Sequence, residues 1–227
     1  MTVDTPNQTL VESCYKVLKE GIIRGEFAPR QKLRISKLTS ILNVGPTPIR
    51  EALSRLTYSG LVVAESNKGF FVKEVSEGEV RDLYATFHTI ELLALQSAID
   101  QGDTDWEANI VASLYQLGTI ENTSFPIDTH LWLKLNYQFH RALIAACNSP
   151  CLLKIREDLY HQFDRYCQLS ILAQQDSLHV NHQDHCDIAH AVISRDKETA
   201  CHLITIHFQT SLVEVIKELK KSGVLDE

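Results

Sequence analysis

Four side chains in the second half of the chain have the chemistry of metal ligands. Asn136 and His140 are four residues apart, which places an amide oxygen and an imidazole on one face of a helix. His185 opens a later helical pattern, and His207 lies two turns past Ala200 on a similar face of the last pattern. Neutral imidazole is a good ligand for Zn²⁺, Ni²⁺, Fe²⁺ and Mn²⁺. Spacing alone leaves two interpretations open, a four-ligand metal site or unrelated members of a set of ten histidines on separate helix faces.

A second polar group, in the first half of the chain, has the chemistry of DNA contacts. A helix is predicted from about Pro46 to Tyr58, and its outward face carries Gly45, Thr47, Arg50 and Ser54. The N-terminal residues of a recognition helix contact base edges and phosphates in the major groove. The planar guanidinium of Arg50 suits bidentate bonds to guanine or to a phosphate. The alternative is that Arg50 pairs with Glu51 or another surface carboxylate.

The elements around this helix predict a winged helix-turn-helix over residues 35–73. A short preceding helix is predicted from Leu33 to Leu42 with Ser36 as its cap, and Asn43 suits the left-handed turn that ends it. Two β-prone runs, 61–64 and 70–73, then form a hairpin. Lys68 at the tip of this hairpin is expected to project towards the sugar-phosphate backbone.

Charge and composition limit the classes of partner. The 227-residue chain has a net charge of −7 and a hydrophobic fraction of 44%, ample for a packed core. Residues 1–75 hold 11 Lys and Arg against 7 Asp and Glu, whereas residues 76–227 hold 11 against 22. We therefore expect only the first part to bind a polyanion. No signal peptide, membrane span or CxxC spacing is found in the sequence, which favours a cytoplasmic protein with reduced thiols.

The remainder of the chain is predicted to be entirely helical. Six helical patterns are separated by short breaks; they cover 77–101, 104–120, 128–147, 151–174, 178–194 and 197–221. Thr104 begins a capping-box sequence at the start of the second pattern. Helices of this length joined by short loops form an antiparallel bundle, and such bundles hold ligands in their core. The expected fold is mainly α, with a winged helix-turn-helix domain at 1–75 and a C-terminal all-α antiparallel helical bundle at 76–227.

The first part of the chain resembles the DNA-binding domain of the GntR family of bacterial transcription regulators. The resemblance rests on the run from Leu42 to Leu56, on Gly60-Leu61-Val62 and Lys68-Gly69, and on the earlier Ile22–Pro29 and Lys32-Leu33. This chain has Gly45-Pro46 where the family usually has Ser or Thr followed by Arg, and we expect Thr47 to cap the helix instead, with Pro48 at its first position. The DNA contacts expected from the residues and the resemblance together are Arg50, Thr47, Lys68, Ser54, Gly45 and Arg34.

The second part resembles the FCD ligand-binding domain of the FadR-type branch of that family. The motif from Asn136 to Leu143 carries the resemblance, together with 145–152 and the downstream pattern from His185 to His207. The resemblance implies that a divalent metal (Zn, Ni, Fe or Mn) binds Asn136, His140, His185 and His207. Asn136 stands where Asp is frequent in the family. A neutral amide is a weaker ligand and leaves the ion more positive, which favours an anionic effector or lowers metal affinity.

The same resemblance indicates where an effector would bind. Many members carry an Arg at the position of Phe87, four residues before the Glu that corresponds to Glu91, and that Arg often binds a carboxylate. Phe87 favours a more apolar pocket. The expected lining is Tyr84, Phe87, His88, Tyr137 and Tyr166. The alternative is that Tyr84 and Phe87 are ordinary core residues.

These observations predict a ligand-responsive transcription regulator, which binds an operator as a homodimer and acts as a repressor released by a small molecule. Ligand control requires different affinities for two domain arrangements. One alternative is a metal-free helical domain that acts as a dimeriser or as a receptor for an apolar ligand. A remote alternative is a metal-dependent hydrolase, although no general base such as the Glu of HExxH accompanies the predicted ligands.

Overall fold

The computed structural model describes residues 10–122, 128–173 and 182–225, and the first of these segments opens with a small mixed domain. Its elements are α1 (Leu10–Ile23), β1 (Lys32–Leu33), α2 (Ile35–Leu42), α3 (Pro46–Tyr58), β2 (Val62–Glu65) and β3 (Gly69–Val72). The inner face of α3 packs on α1 and forms the centre of a first hydrophobic core, in which Ile49, Leu53 and Leu56 are fully buried. The winged helix-turn-helix prediction is confirmed.

The wing is an antiparallel hairpin extended by a third short strand. The sheet order is β1-β3-β2, with Val62 opposite Val72 and Glu65 opposite Gly69. Asn67 adopts a left-handed conformation in the loop beyond Glu65 and allows the tight reversal. The predicted hairpin is therefore correct, and its tip carries Lys68.

The prediction that a helix starts at Leu33 is wrong. Lys32 and Leu33 pair with Phe71 and Phe70 of β3, so their backbone groups are used by the sheet. The helix α2 begins two residues later, after Arg34, and no side chain caps it, which also excludes Ser36 as the cap. Two residues are too few to show the alternation that predicts a strand.

The turn between α2 and α3 follows one prediction and contradicts another. Asn43 ends α2 with φ 52° and ψ 43°, as predicted for a left-handed helix end. The expected cap at Thr47 is wrong because α3 already begins at Pro46, with extended Gly45 at the cap position and no side-chain hydrogen bond. Proline at the first helical position lacks only an N–H that would have no helical partner there.

Six helices form the second domain in the described residues, as predicted. They are α4 (Glu77–Gln101), α5 (Thr104–Glu121), α6 (Thr129–Leu143), α7 (Pro150–Ala173), α8 (His182–Ile193) and α9 (Lys197–Lys221). The cap of α5 is Asp103, which accepts a bond from the Trp106 N–H at 2.9 Å, so the predicted cap at Thr104 lies one residue too late. The loop at 123–126, the helix start at 178–181 and residue 174 lie outside the described residues.

The helices of this domain enclose a second hydrophobic core. Helix α4 packs on α7 and α9, α5 packs on α6 and α8, and α8 packs on α9. Ala94, Ile110 and Phe139 are fully buried at the contacts. No helix in the described part of the chain has the length and apolarity to cross a membrane. The predicted boundary at 75/76 stays a prediction, although Val72 packs in the first core and Val75 in the second.

Candidate functional site

Three of the four predicted metal ligands meet inside the helical domain. His140 comes from α6, His185 from α8 and His207 from α9, and one ring nitrogen of each lies within 4.8 Å of the others. The ring centroids are 5.0 Å apart for the His140–His207 and His185–His207 pairs and 5.7 Å apart for His140–His185. Residues from three helices thus converge although up to 67 positions separate them in sequence.

Two polar atoms of this cluster have the unfilled hydrogen-bonding capacity expected of a metal site. His140 Nδ1 and His185 Nε2 are buried and have no hydrogen-bond partner among the described residues, and the same holds for Oδ1 of Asn136, one turn before His140 on α6. A buried polar atom without a partner costs about 1–3 kcal/mol, so several together call for an explanation. Imidazole nitrogen and amide oxygen are suitable ligands for a borderline divalent cation, and the residues present therefore fit such an ion.

Burial keeps two of these imidazoles, those of His140 and His207, neutral. Burial lowers the pKa of His140 well below its usual value, and the neighbouring His207 and His185 lower it further. Burial also lowers the pKa of His207 to about 3, with His185 acting in the same direction and Glu121 opposing it. Because only the neutral ring has a free lone pair, the environment holds both in the form that binds a metal.

A buried carboxylate that sequence reasoning missed lies directly behind His185. Glu121 ends α5, its side chain is fully buried, and it accepts bonds from His185 Nδ1 at 3.1 Å and His182 Nδ1 at 2.8 Å. Trp132 Nε1 donates a third bond at 2.9 Å. Burial alone would raise the pKa of Glu121, but the hydrogen bond and the charge interaction with His185, followed by the bonds from His182 and Trp132, outweigh it and the pKa is lowered. Glu121 is therefore an ionised carboxylate.

A glycine on α5 makes this arrangement possible. Gly118 is buried, and a Cβ atom at that position would lie 2.8 Å from Cε1 of His182. The missing side chain lets the His182 ring approach the helix that carries Glu121. The only sequence signal of this contact is the three-residue spacing of His182 and His185, which places both rings on one face of α8.

A second missed feature is a fully buried ion pair next to the histidines. Arg156 of α7 donates to Glu91 of α4 through Nε at 2.9 Å and Nη2 at 3.3 Å, and both side chains are at most 2% exposed. The guanidinium also lies 5.2–5.5 Å from the ring centroids of Phe87, Tyr137 and Tyr160. Its positive charge contributes to the low pKa of His140, so the pair lies close to the metal-ligand cluster.

Of the five predicted effector-pocket residues, Phe87 and Tyr137 lie beside the guanidinium of Arg156. Tyr84 and Phe87 are 2% exposed, and Phe87 stacks on Phe163 with centroids 4.8 Å apart, as ordinary core residues do. Tyr166 is also buried, and His88 bonds Thr205 at 2.9 Å. Tyr137 donates to Glu157 at 2.6 Å. Their role in binding an effector stays a prediction.

Tyr137 also lines a cavity of about 290 Å³ between the two domains. Helix α1 forms one wall of this cavity, and α6 and α7 form the other. Lys19 bonds His161 at 3.2 Å across it, and Arg24 bonds His130 at 3.1 Å. Helix α7 therefore contacts both the buried site and the DNA-binding domain.

A further bond fixes α7 to the end of the wing. Arg165, which is buried, donates to the backbone carbonyl of Lys73 at 2.5 Å. Gln162 packs against Gly60 at the end of the helix-turn-helix, where a Cβ would lie 3.0 Å from the amide group. Arg156 and these two residues share one 24-residue helix.

The predicted DNA contacts all lie on the surface of the first domain. Gly45, Thr47 and Arg50 are exposed at the start of α3, whereas Ser54 is half-buried further along. Arg50 forms no ion pair with any other residue that the structure describes, so the alternative of a Glu51 pair is not seen there. These positions agree with the prediction but do not test it.

Two other predicted contacts lie away from α3. Lys68 is exposed at the wing tip and pairs with Glu65 at 3.0 Å, a weak surface interaction. Arg34 is exposed just before α2, where it lines a cavity of about 270 Å³ together with Lys32 and Lys37. The two lysines add positive charge that sequence reasoning did not assign to DNA binding.

Known proteins resemble this chain over both domains. Residues 10–72 match the profile of the bacterial regulatory proteins of the gntR family, and residues 82–210 match the FCD domain. The HTH-type transcriptional repressor GlaR of Escherichia coli K12 is 34% identical over 205 residues, which is 87% of this chain and 92% of GlaR. The HTH-type regulator BphR of Paraburkholderia xenovorans is 32% identical over 208 residues, 90% of this chain and 84% of BphR.

A solved structure shows the same overall fold. E. coli McbR/YncC superposes with a TM-score of 0.75 at 20% identity and covers 92% of this chain and 98% of its own. At that identity the likeness concerns the fold alone. The two profile matches and the two relatives identify the function, and they leave the hydrolase alternative without support. The chain belongs to the GntR family and is an FCD-domain transcription regulator that binds DNA, not an enzyme.

Proposed function

We propose that the helical domain holds a divalent cation on Asn136, His140, His185 and His207, and that a small-molecule effector binding at this site controls DNA binding. The observation that carries the proposal is the convergence of three imidazoles, with ring nitrogens within 4.8 Å of one another and buried ligand atoms left unpartnered. The ion would supply a Lewis-acidic point at which oxygen donors of a small molecule attach. The metal-free receptor or dimeriser remains the competing interpretation.

The contacts of α7 support a route from this site to DNA. Arg156 in the first half of α7 lowers the pKa of His140 through its charge, and Arg165, nine residues later, holds the carbonyl of Lys73 at the base of the wing. A helix moves as a rigid body, so a displacement at Arg156 reaches Arg165. An effector shifts the DNA-binding domain only if it binds one arrangement more tightly than the other. Repression relieved by the effector is the regulatory sign we propose, in keeping with the name of GlaR.

We further propose that the protein acts as a homodimer in the cytoplasm. Two winged helices on a two-fold axis would read two half-sites about one helical turn apart. Val111 and Tyr115 support a partner surface because they lie four residues apart on α5 and are 55% and 75% exposed. Light scattering of wild type and Tyr115→Lys tests this surface. A dimer that dissociates on substitution is expected, and a dimer unaffected by it would exclude this face.

The metal proposal is tested by elemental analysis of protein purified without a polyhistidine tag. One equivalent of divalent metal per chain is expected in the wild type, either as purified or after reconstitution. His140→Ala should lose it, whereas His190→Ala should retain it because His190 is exposed on α8. Absence of stoichiometric metal in reconstituted wild type would reject the site and favour the metal-free receptor.

A further inference from the structure

We infer that Glu121 is a positioning residue for the candidate metal site, fixing the His185 tautomer and supplying a negative charge that the four ligands lack. This inference rests on the proposed metal site and adds a residue that is not itself a ligand. Glu121 lies on α5, which contributes none of the four ligands.

The hydrogen bonds determine which nitrogen of His185 is free. An ionised carboxylate accepts hydrogen bonds and donates none. The Glu121 oxygen 3.1 Å from His185 Nδ1 therefore requires a proton on Nδ1, and a neutral ring then has its lone pair on Nε2. Nε2 is the buried atom without a partner among the residues described. Carboxylate–histidine pairs of this kind orient ligands and raise their basicity in metal sites.

The charge of the site gives Glu121 a second role. An amide and three imidazole side chains bring no negative charge to a divalent cation. The neighbouring Arg156 is already paired with Glu91, so that pair adds no net charge. Glu121 is fully buried and carries one negative charge directly behind His185. An ion in this poorly solvated site is attracted by that charge more strongly than it would be in water.

Glu121 also ties together the helices that carry the ligands. Trp132, which donates to Glu121 at 2.9 Å, lies on α6 one turn before Asn136 and two turns before His140. His182, bonded at 2.8 Å, lies on α8 three residues before His185. One carboxylate thus holds α6 and α8 in a fixed relation. Displacing it would disturb the geometry of three ligands at once.

The test compares metal affinity in charge-matched variants. Zn²⁺ is titrated into chelator-stripped wild type, Glu121→Gln, Asn136→Asp and the double variant, in competition with a chromophoric chelator. Glu121→Gln keeps the side-chain size and removes the charge, and it should weaken Zn²⁺ binding 10- to 100-fold. Asn136→Asp restores one negative charge, so the double variant should recover most of that loss. Glu107→Gln on the same helix, whose partner is Arg195, is the control and should leave affinity unchanged.

The outcomes separate this inference from the metal site itself. Wild type that binds no Zn²⁺ would reject the proposed site. Tight binding by wild type and an equal affinity in folded Glu121→Gln would overturn the role of Glu121 and leave the metal site standing. The His185 tautomer, read from ¹⁵N shifts of the metal-free wild type, decides the case in which the variant does not fold. A proton on Nδ1 supports the inference, and a proton on Nε2 overturns it.

Discussion

The buried Glu91–Arg156 pair gives a sharp prediction for the stability of the helical domain. Glu91→Leu leaves the Arg156 guanidinium charged and without its partner at a position only 2% exposed. Removing one member of such a pair costs about 3–5 kcal/mol, because the remaining charge is uncompensated. The three aromatic rings around the guanidinium attract its charge, but they do not replace the two hydrogen bonds that Arg156 donates to Glu91. A domain stable by about 5–15 kcal/mol would lose at least about a fifth of its stability.

The double variant separates the two contributions. Glu91→Leu with Arg156→Met replaces both charges by apolar groups of similar size. Such replacements of buried pairs are often neutral or stabilising. We therefore expect the double variant to be more stable than Glu91→Leu by at least about 2 kcal/mol.

Urea unfolding followed by tryptophan fluorescence measures these effects. Both tryptophans, Trp106 and Trp132, lie in the helical domain, so the signal reports that domain alone. With a slope of about 3 kcal/mol per molar, Glu91→Leu should lower the midpoint by about 1 to 1.7 M. The control Arg81→Ala removes an exposed pair with Glu77 and should change stability by less than about 0.5 kcal/mol. A loss below about 1 kcal/mol in Glu91→Leu, or no recovery in the double variant, would refute the reasoning.

Three other predictions concern DNA binding, pH and the junction of the domains. Arg50→Ala should weaken binding to a selected operator by roughly 1–3 kcal/mol in an anisotropy titration, whereas the surface control Arg81→Ala should leave the affinity unchanged. If the two variants bind the operator equally well, Arg50 is not part of the interface. Burial, opposed by a bond from Gln168 and the charge of Lys19, raises the pKa of Asp164 to about 6. The native state therefore holds this proton more tightly than the unfolded chain, and Asp164 should add about 2 kcal/mol of stability as pH falls from about 7 to 4. Asp164→Asn should flatten the dependence of stability on pH in urea titrations, and an unchanged dependence would contradict the assignment. Gly60→Ala should lower the free energy of unfolding by about 1–2 kcal/mol in thermal unfolding, because Gly60 has a φ of +73° and Gln162 packs against it. An unchanged stability would show that the junction relaxes around the added methyl group.

Local chemistry made the first domain predictable in most respects. Asn43 and the hairpin tip at Asn67 adopt the left-handed conformations that short polar residues favour, and both determine turns. The strand at Lys32–Leu33 was missed because its existence depends on pairing with β3, far along the chain. The cap of α3 was misplaced because the helix starts one residue earlier than Thr47, with glycine serving as a cap without a side chain.

The candidate site was predictable only in part. Helical spacing placed Asn136 and His140 on one face and singled out His185 and His207, and family resemblance joined the four into one ligand set. Neither method pointed to Glu121 or Arg156. Their partners lie 64 and 65 residues away in sequence, so their proximity arises from how α4, α5, α7 and α8 pack. Buried polar contacts between distant helices leave no periodic signal in a single sequence.

X-ray absorption at the metal edge of reconstituted protein tests the central claim most directly, because it identifies the ligand atoms. The proposed site predicts four protein ligands, three imidazole nitrogens and one amide oxygen, with distances of about 2.0–2.2 Å for Zn²⁺ and the outer-shell scattering of three imidazole rings. His207→Ala should reduce the imidazole count by one. A sulfur ligand at about 2.3 Å from one of the six free cysteines, or fewer than three imidazoles in the wild type, would contradict the account.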